Sequence, residues 1–260
     1  MKVMTFNLRS DSIFDGKNRW HKRNHIVFDV IKKYNCDIIG LQEVTNKMYK
    51  DIEEQLSDYY IIGQPRCKRF FVEHNNILIS KRHEILEEET FWLSNQPKKV
   101  GSSIWYSVFP RICTTAKVRL DSGELVRIYN THLDVYLSPA RGYGLKKISE
   151  YIERQQEIDQ IPVVLMGDFN ATPNHRIIKT FTEGELSHKR FVAVQEYDKS
   201  IYNKPTMGRF KDSEKGMHLD YIFVSEECAV LHAEIIKDNV NGQYPSDHYP
   251  LLAHVHVTLS

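Results

Sequence analysis

The chain of 260 residues has no apolar stretch that approaches the ~20 residues a membrane-spanning helix needs. Its first residues, Met1-Lys2-Val3-Met4-Thr5-Phe6-Asn7, carry a positive charge but lack the ~7–15-residue apolar run and the small-residue cleavage site of an export leader, so they read as a first strand. Cysteine is scarce. Cys36, Cys67, Cys113 and Cys228 are widely scattered with no CxxC pair, which excludes a thiolate metal site and reads as reduced thiols in a cytoplasmic protein. Lys+Arg (35) and Asp+Glu (34) nearly cancel, so the strongly basic footprint of a tight, non-specific nucleic-acid binder is missing. With 41% hydrophobic residues the chain is not of the disordered class. Low-complexity segments, Gly/Ser linkers and blocks of ~5 like charges are also lacking, so no domain boundary shows and residues 1–260 are expected to form a single domain.

What recurs instead is a short apolar strand that ends in a polar or acidic residue. Val3–Phe6 ends at Asn7, and Asp37–Leu41 at Gln42-Glu43. Val126–Tyr129 runs into Asn130-Thr131-His132-Leu133-Asp134, and Pro162–Met166 into Gly167-Asp168-Phe169-Asn170. Further strands are expected at Leu219–Val224, Val230–Ile236 and Leu251–Val257, and Asp121-Ser122-Gly123-Glu124 reads as a hairpin turn. Helices are legible between them. Ile26, Val27, Val30, Ile31 and Tyr34 share one face, Thr45 precedes Met48, Ile52 and Leu56 as an N-cap, and Ser138-Pro139 reads as a cap and a first-turn proline. Many strands with a few helices from both halves imply an α+β protein with sheets packed face to face and helices outside.

The strand ends carry Asn7, Glu43, His132, Asp134, Asp168 and Asn170. Asp220 lies inside Leu219-Asp220-Tyr221-Ile222-Phe223, and Asp247-His248 precedes the last strand. Carboxylates with few nitrogens and no thiol point to Mg²⁺ or Mn²⁺ rather than structural zinc. Taken in order, Thr5-Phe6-Asn7, Leu41-Gln42-Glu43-Val44, Asn130-Thr131-His132-Leu133, Gly167-Asp168-Phe169-Asn170, Leu219-Asp220-Tyr221 and Ser246-Asp247-His248 resemble the successive motifs of the endonuclease/exonuclease/phosphatase superfamily, from residue 3 to about residue 252.

That resemblance implies a four-layer αββα sandwich of two mostly antiparallel sheets flanked by helices, and a Mg²⁺- or Mn²⁺-dependent hydrolase of phosphoester bonds. It makes Glu43 the main metal ligand, with Asn7 and Asp247 beside it. Asp168 activates the attacking water and Asn170 fixes it. His248, oriented by Asp220, stabilises the pentacovalent phosphate, and His132, oriented by Glu73, contacts the remaining oxygens. Phosphoester hydrolysis leaves a protein little covalent work, so positioned charges of this kind suit it.

Substrate contacts are expected from Arg111, before a strand that approaches the site, from Trp105 in a loop, and from Arg23. In Trp20-His21-Lys22-Arg23 the W-x-x-R spacing is similar to the deadenylase-like branch, while residue type alone reads Trp20 as a helix-start staple and Arg23 as a solvated charge. The partner is a phosphorylated substrate, with a nucleic acid and a sugar phosphate or lipid headgroup both open. A non-catalytic binding module ranks last, because Glu43, Asp168, Asp220 and His248 are all present.

Overall fold

Alternation along the first strand sets the layers. In β1 (Lys2–Asn7), Val3 faces one way while Met4 and Phe6 face the other, and all three are fully buried. A strand covered on both faces must lie inside a sandwich of at least three layers. The computed structural model, which describes residues 1–69, 72–186 and 189–257, has four.

The first sheet holds β1, β2 (Ile38–Gln42), β3 (Tyr59–Ile62), β4 (Ile77–Ser80), β11 (Cys228–Ile235) and β12 (Leu251–Val257), in the order β11-β12-β1-β2-β4-β3. The second holds β5 (Glu84–Trp92), β6 (Ile112–Arg119), β7 (Leu125–His132), β8 (Val163–Asp168), β9 (Phe191–Ala193) and β10 (Asp220–Ser225), in the order β5-β6-β7-β8-β10-β9. Among the described residues only β1–β2 and β7–β8 pair in parallel; the other strand pairs are antiparallel. Each parallel pair is joined by a crossover helix, α1 (Trp20–Tyr34) and α3 (Ser138–Gln156) respectively.

Between the sheets lies an aliphatic layer that includes Val3, Ile38 and Ile79 from one side and Val118, Ile128, Val164 and Ile222 from the other. Outside the first sheet, α1 and α2 (Asn46–Gln55) cover Phe6, Ile39 and Leu41 with Val27, Ile31, Met48 and Ile52. Outside the second, α3 and α4 (Arg176–Thr182) cover Tyr129, Leu165 and Phe223 with Leu145, Ile148, Ile152 and Phe181. Each such side chain removed from water contributes about 1.5–3 kcal/mol, which makes these three apolar layers the main source of stability. Thr45 caps α2 as expected, accepting from the Met48 amide at 3.3 Å. Ser138 does not cap α3. It lies in the first turn with its hydroxyl 3.1 Å from His175 Nε2, while Asp134 Oδ1 receives the Tyr136 and Leu137 amides just ahead of the helix.

The pairing registers explain why the motifs meet. Parallel pairing sets the ends of β1 and β2 at one edge, Asn7 opposite Gln42, and does the same for His132 and Asp168 at the ends of β7 and β8. The antiparallel β10 starts at that edge with Asp220 opposite Asp168, and β12 enters beside β1 directly after His248. Gly167 is required there. Its φ is +146°, and a Cβ would fall 1.9 Å from the Thr131 carbonyl oxygen.

At the same edge the sheets are stitched by polar side chains. Asn130 Oδ1 on β7 accepts from Gln42 Nε2 at 2.7 Å, and its Nδ2 donates to the Leu41 and Asn76 carbonyls of the opposite layer at 2.9 and 2.8 Å. This close approach works because residue 40 is glycine; a Cβ there would meet Asn130 Oδ1 at 2.8 Å and Met166 Sδ at 2.9 Å. Asn130 is pinned by its own hydrogen bonds and cannot yield. Gly40→Ala is therefore expected to destabilise the protein by about 1–3 kcal/mol through overpacking. Urea unfolding checks this, as a lower midpoint at an unchanged m-value.

Candidate active site

Three residues at the sheet edge adopt left-handed backbone conformations that non-glycine residues avoid: Arg9 (φ 55°), Glu43 (φ 60°) and Asn170 (φ 49°). All three line one cavity of about 290 Å³, so the strain, of order 1–3 kcal/mol each, falls where side chains are turned inward. The same cavity is lined by His132, Asp168, Asp247, His248, Glu73, Arg66 and Arg111. Among the residues expected from the sequence, the structure thus brings together Glu43, Glu73, Arg111, His132, Asp168, Asn170, Asp247 and His248, with Asn7 and Asp220 directly behind them.

Glu43 is partly buried and receives the Ser10 amide on Oε2 at 2.9 Å and Asn7 Nδ2 on Oε1 at 3.1 Å. Burial opposes its charge, but His132 and these donors outweigh it and hold the carboxyl down at about 2. Asp168 accepts Asn7 Nδ2 at 3.0 Å and the Asn170 amide at 2.8 Å, and its Oδ2 lies 3.6 Å from His132 Nε2 and 3.8 Å from His248 Nε2. Burial and the nearby Asp220 push the Asp168 carboxyl up. Burial, reinforced by Glu43, does the same to Asp247.

The two histidines are set to opposite states. His248 Nδ1 lies 2.8 Å from Asp220 Oδ2; burial disfavours its charge, yet Asp220 overrides this and raises the ring well above its ordinary value, so Nε2 faces the cavity as an imidazolium donor. His132 is lowered to about 4 by burial and by the Arg111 guanidinium, so it is neutral at pH 7. His132 is not oriented by Glu73 as the motif comparison implies. Glu73 forms a 2.8 Å ion pair with Arg66 instead, and burial together with Glu43 raises its carboxyl to about 7. A charged guanidinium is the stronger partner for a buried carboxylate, which decides the pairing.

Other expectations need correction. Asn7 does not turn an oxygen to the centre: its Nδ2 faces both carboxylates and its Oδ1 accepts the Arg9 amide at 2.9 Å, so it is a donor that cross-links Glu43 and Asp168. Arg23 is neither a substrate contact nor a solvated charge. It is fully buried and donates to the carbonyls of Asn18, Leu8, Pro245 and Arg9 at 2.6–2.7 Å, which consumes the guanidinium in clipping together the loops behind the site. Trp20 packs beside it, with Nε1 on Asp51. Trp105 is 94% exposed and stands outside the cavity lining, while Trp92 is core, its Nε1 donating to the Arg66 carbonyl.

Sequence reasoning missed Arg9, Arg66, Phe109, Tyr136, Met207 and Met217, all in the cavity wall. Arg9 carries a signal, two residues beyond Asn7 in the first motif. The others sit in loops whose path only the folded chain sets.

The donor set suits a hard divalent cation. Glu43, held ionised, shares the cavity with Asp168 and Asp247, and behind them the buried Oδ1 of Asp220 has no hydrogen-bond partner among the described residues. Crowding carboxylates out of water is unfavourable unless positive charge joins them, and oxygen ligands favour ions of the Mg²⁺ type.

Comparison with known proteins agrees with this chemistry. Residues 4–248 match the model of the Endonuclease/Exonuclease/phosphatase family. Among solved structures, an endonuclease/exonuclease/phosphatase from Bacteroides vulgatus superposes with a TM-score of 0.88 at 28% identity, covering 99% of this chain and 98% of that one. A mannosyl-6-phosphatase from Bacteroides thetaiotaomicron gives 0.88 at 26% identity, with 98% and 99% covered. Nocturnin from Xenopus laevis is 23% identical over 284 residues, which span 96% of this chain and 71% of that protein; against human Nocturnin the match spans 64% of the relative. With its motifs converging on one acidic cavity and the family match running through nearly its whole length, the chain belongs to the Endonuclease/Exonuclease/phosphatase family and is a phosphoester hydrolase.

Proposed function

We propose that this chain is a Mg²⁺-dependent enzyme that releases phosphate from a small phosphorylated molecule of the sugar-phosphate kind, and that residues 1–260 work as one catalytic unit. The observation that carries this reading is the shape of the site. Glu43, His132, Asp168, Asn170, Asp247 and His248 line one cavity of about 290 Å³, at the small end of the ~300–1,000 Å³ typical of ligand pockets, with Phe109, Val135, Tyr136, Met217 and Leu219 as its apolar walls. The likeness to a mannosyl-6-phosphatase supports the same class. The four cysteines are free thiols, which supports a reducing, cytoplasmic setting.

Each residue then has a role set by its surroundings. Asp168, its pKa raised, accepts the proton of the attacking water, and Asn170 steadies that water. His248 donates from Nε2 to a phosphoryl oxygen as charge builds in the transition state, and Asp220 keeps it protonated. The neutral His132 contacts a second oxygen. Asn7 holds Asp168 and Glu43 at a fixed spacing. Glu43 and Asp247 would hold the ion, which when bound supplies positive charge beside the phosphoryl group.

One observation favours a nuclease instead. Arg209, Lys211 and Lys215 line a surface hollow that shares Met207 and Met217 with the cavity, a place for a polyanionic leaving strand.

Two experiments test this reading. Mg²⁺ or Mn²⁺ at ten times its Kd is expected to raise the melting temperature by roughly 3–6 °C, and Glu43→Gln is expected to abolish the shift; differential scanning calorimetry with and without chelator checks both. Wild-type enzyme is expected to release phosphate from sugar monophosphates while leaving single-stranded DNA, duplex DNA and RNA uncut. Asp168→Asn and His248→Ala are each expected to slow release by about 10²–10⁴-fold without loss of fold. Cleavage of an oligonucleotide with sugar phosphates untouched would reverse the choice of substrate class.

A further inference from the structure

The cavity lining includes two arginines on separate loops: Arg66, which follows β3, and Arg111, which leads into β6. Their exposures are 5% and 8%, so both guanidiniums have left water. They are not equally satisfied. Arg66 has its 2.8 Å ion pair with Glu73 and lies 4.7 Å over the Phe109 ring. Among the described residues, Arg111 has only Asp134 at 4.0 Å, and that carboxylate is already occupied by the amides of Tyr136 and Leu137 and the hydroxyl of Ser107. The buried Nε of Arg111 has no hydrogen-bond partner.

A buried donor on a charged group is costly to leave unpaired, and two buried cations repel each other. Burial lowers the pKa of Arg111, and the nearby Arg66 lowers it further. A fold keeps such a pair where an anion completes it, and the open side of this pair is the cavity that also holds His132, Asp168 and His248. We propose that Arg66 and Arg111 together form a seat for the dianionic phosphate of a monoester, which makes the enzyme a phosphomonoesterase. This rests on the reading of the cavity as a phosphoester hydrolase site and selects within it.

The chemistry separates the two ester classes. A monoester phosphate carries about −1.5 to −2 charge at pH 7 and three terminal oxygens, enough to accept from two guanidinium forks while still meeting His248. A diester has one negative charge and two such oxygens, and it sets an ester carbon against a buried guanidinium that finds no acceptor there. Lysine cannot replace the fork, because it presents a point charge.

The test compares p-nitrophenyl phosphate with methyl p-nitrophenyl phosphate, which share a leaving group, and measures inorganic phosphate binding by titration calorimetry in the presence of Mg²⁺. Wild type is expected to favour the monoester by at least ~100-fold in kcat/KM, and Arg111→Met to lower that preference by about 100-fold and weaken phosphate binding at least 10-fold. Arg66→Met is expected to act in the same direction, and Arg111→Lys, which keeps charge and bulk, to recover only part of the preference. Should Arg111→Met fail to fold, Arg111→Lys decides, since full recovery there would remove the role of the fork. Equal wild-type rates on the two esters, or variants that bind inorganic phosphate as tightly as wild type, would overturn the seat. If wild type hydrolyses neither ester yet loses phosphate binding in the variants, the hydrolase reading falls and the seat stands.

Discussion

Asn7 ends a strand of one sheet, and its side-chain amide donates both to Glu43, just beyond the end of β2 in that sheet, and to Asp168, at the end of β8 in the other, at 3.1 and 3.0 Å. A single amide thereby fixes the spacing of the two carboxylates around which the site is arranged. It can do so because the sheets approach closely at this edge, where Gly40 leaves room for Asn130 and where Gln42 and Asn130 hydrogen-bond across the gap. Elsewhere the sheets meet through aliphatic side chains. The apolar layer supplies most of the cohesion, and the polar stitch supplies register, since hydrogen bonds tolerate far less displacement than hydrophobic contact.

The cavity lining mixes both signs of charge: Glu43, Glu73, Asp168 and Asp247 share it with Arg9, Arg66, Arg111 and the two imidazoles. Immediate surroundings set each ring: His248 is kept charged by Asp220, whereas His132 is kept neutral by burial and Arg111. Identical side chains thus take opposite protonation states within one cavity, which is how a single site can offer both a charged and an uncharged hydrogen-bonding group to a phosphate.

Behind the site, Arg23 shows a different use of a guanidinium. Its donors go to four backbone carbonyls from three separate segments, around residues 8–9, 18 and 245. Those segments carry Arg9 and lead into Asp247-His248, so the clip steadies two loops that line the cavity. Carbonyl dipoles stabilise the charge without a counter-ion, which leaves the neighbouring acids unpaired with it.

Much of this was legible in the sequence because it is local. Apolar runs of strand length that end in Asn7, Glu43, His132 and Asp168, the Thr45 cap and the hairpin turn at Asp121–Glu124 each depend on neighbours a few residues away, and parallel or antiparallel pairing then carries the strand ends to one edge. The ordered motifs fixed the family, the four layers and the His248–Asp220 pair for the same reason. Tertiary structure decided what depends on side chains from distant loops. It gave Glu73 to Arg66 rather than to His132, turned the nitrogen of Asn7 to the carboxylates, buried Arg23 and left Trp105 in solvent. A residue's type states which partners it can accept, but burial and the competition among nearby charges select one of them, and both exist only once the two sheets have closed.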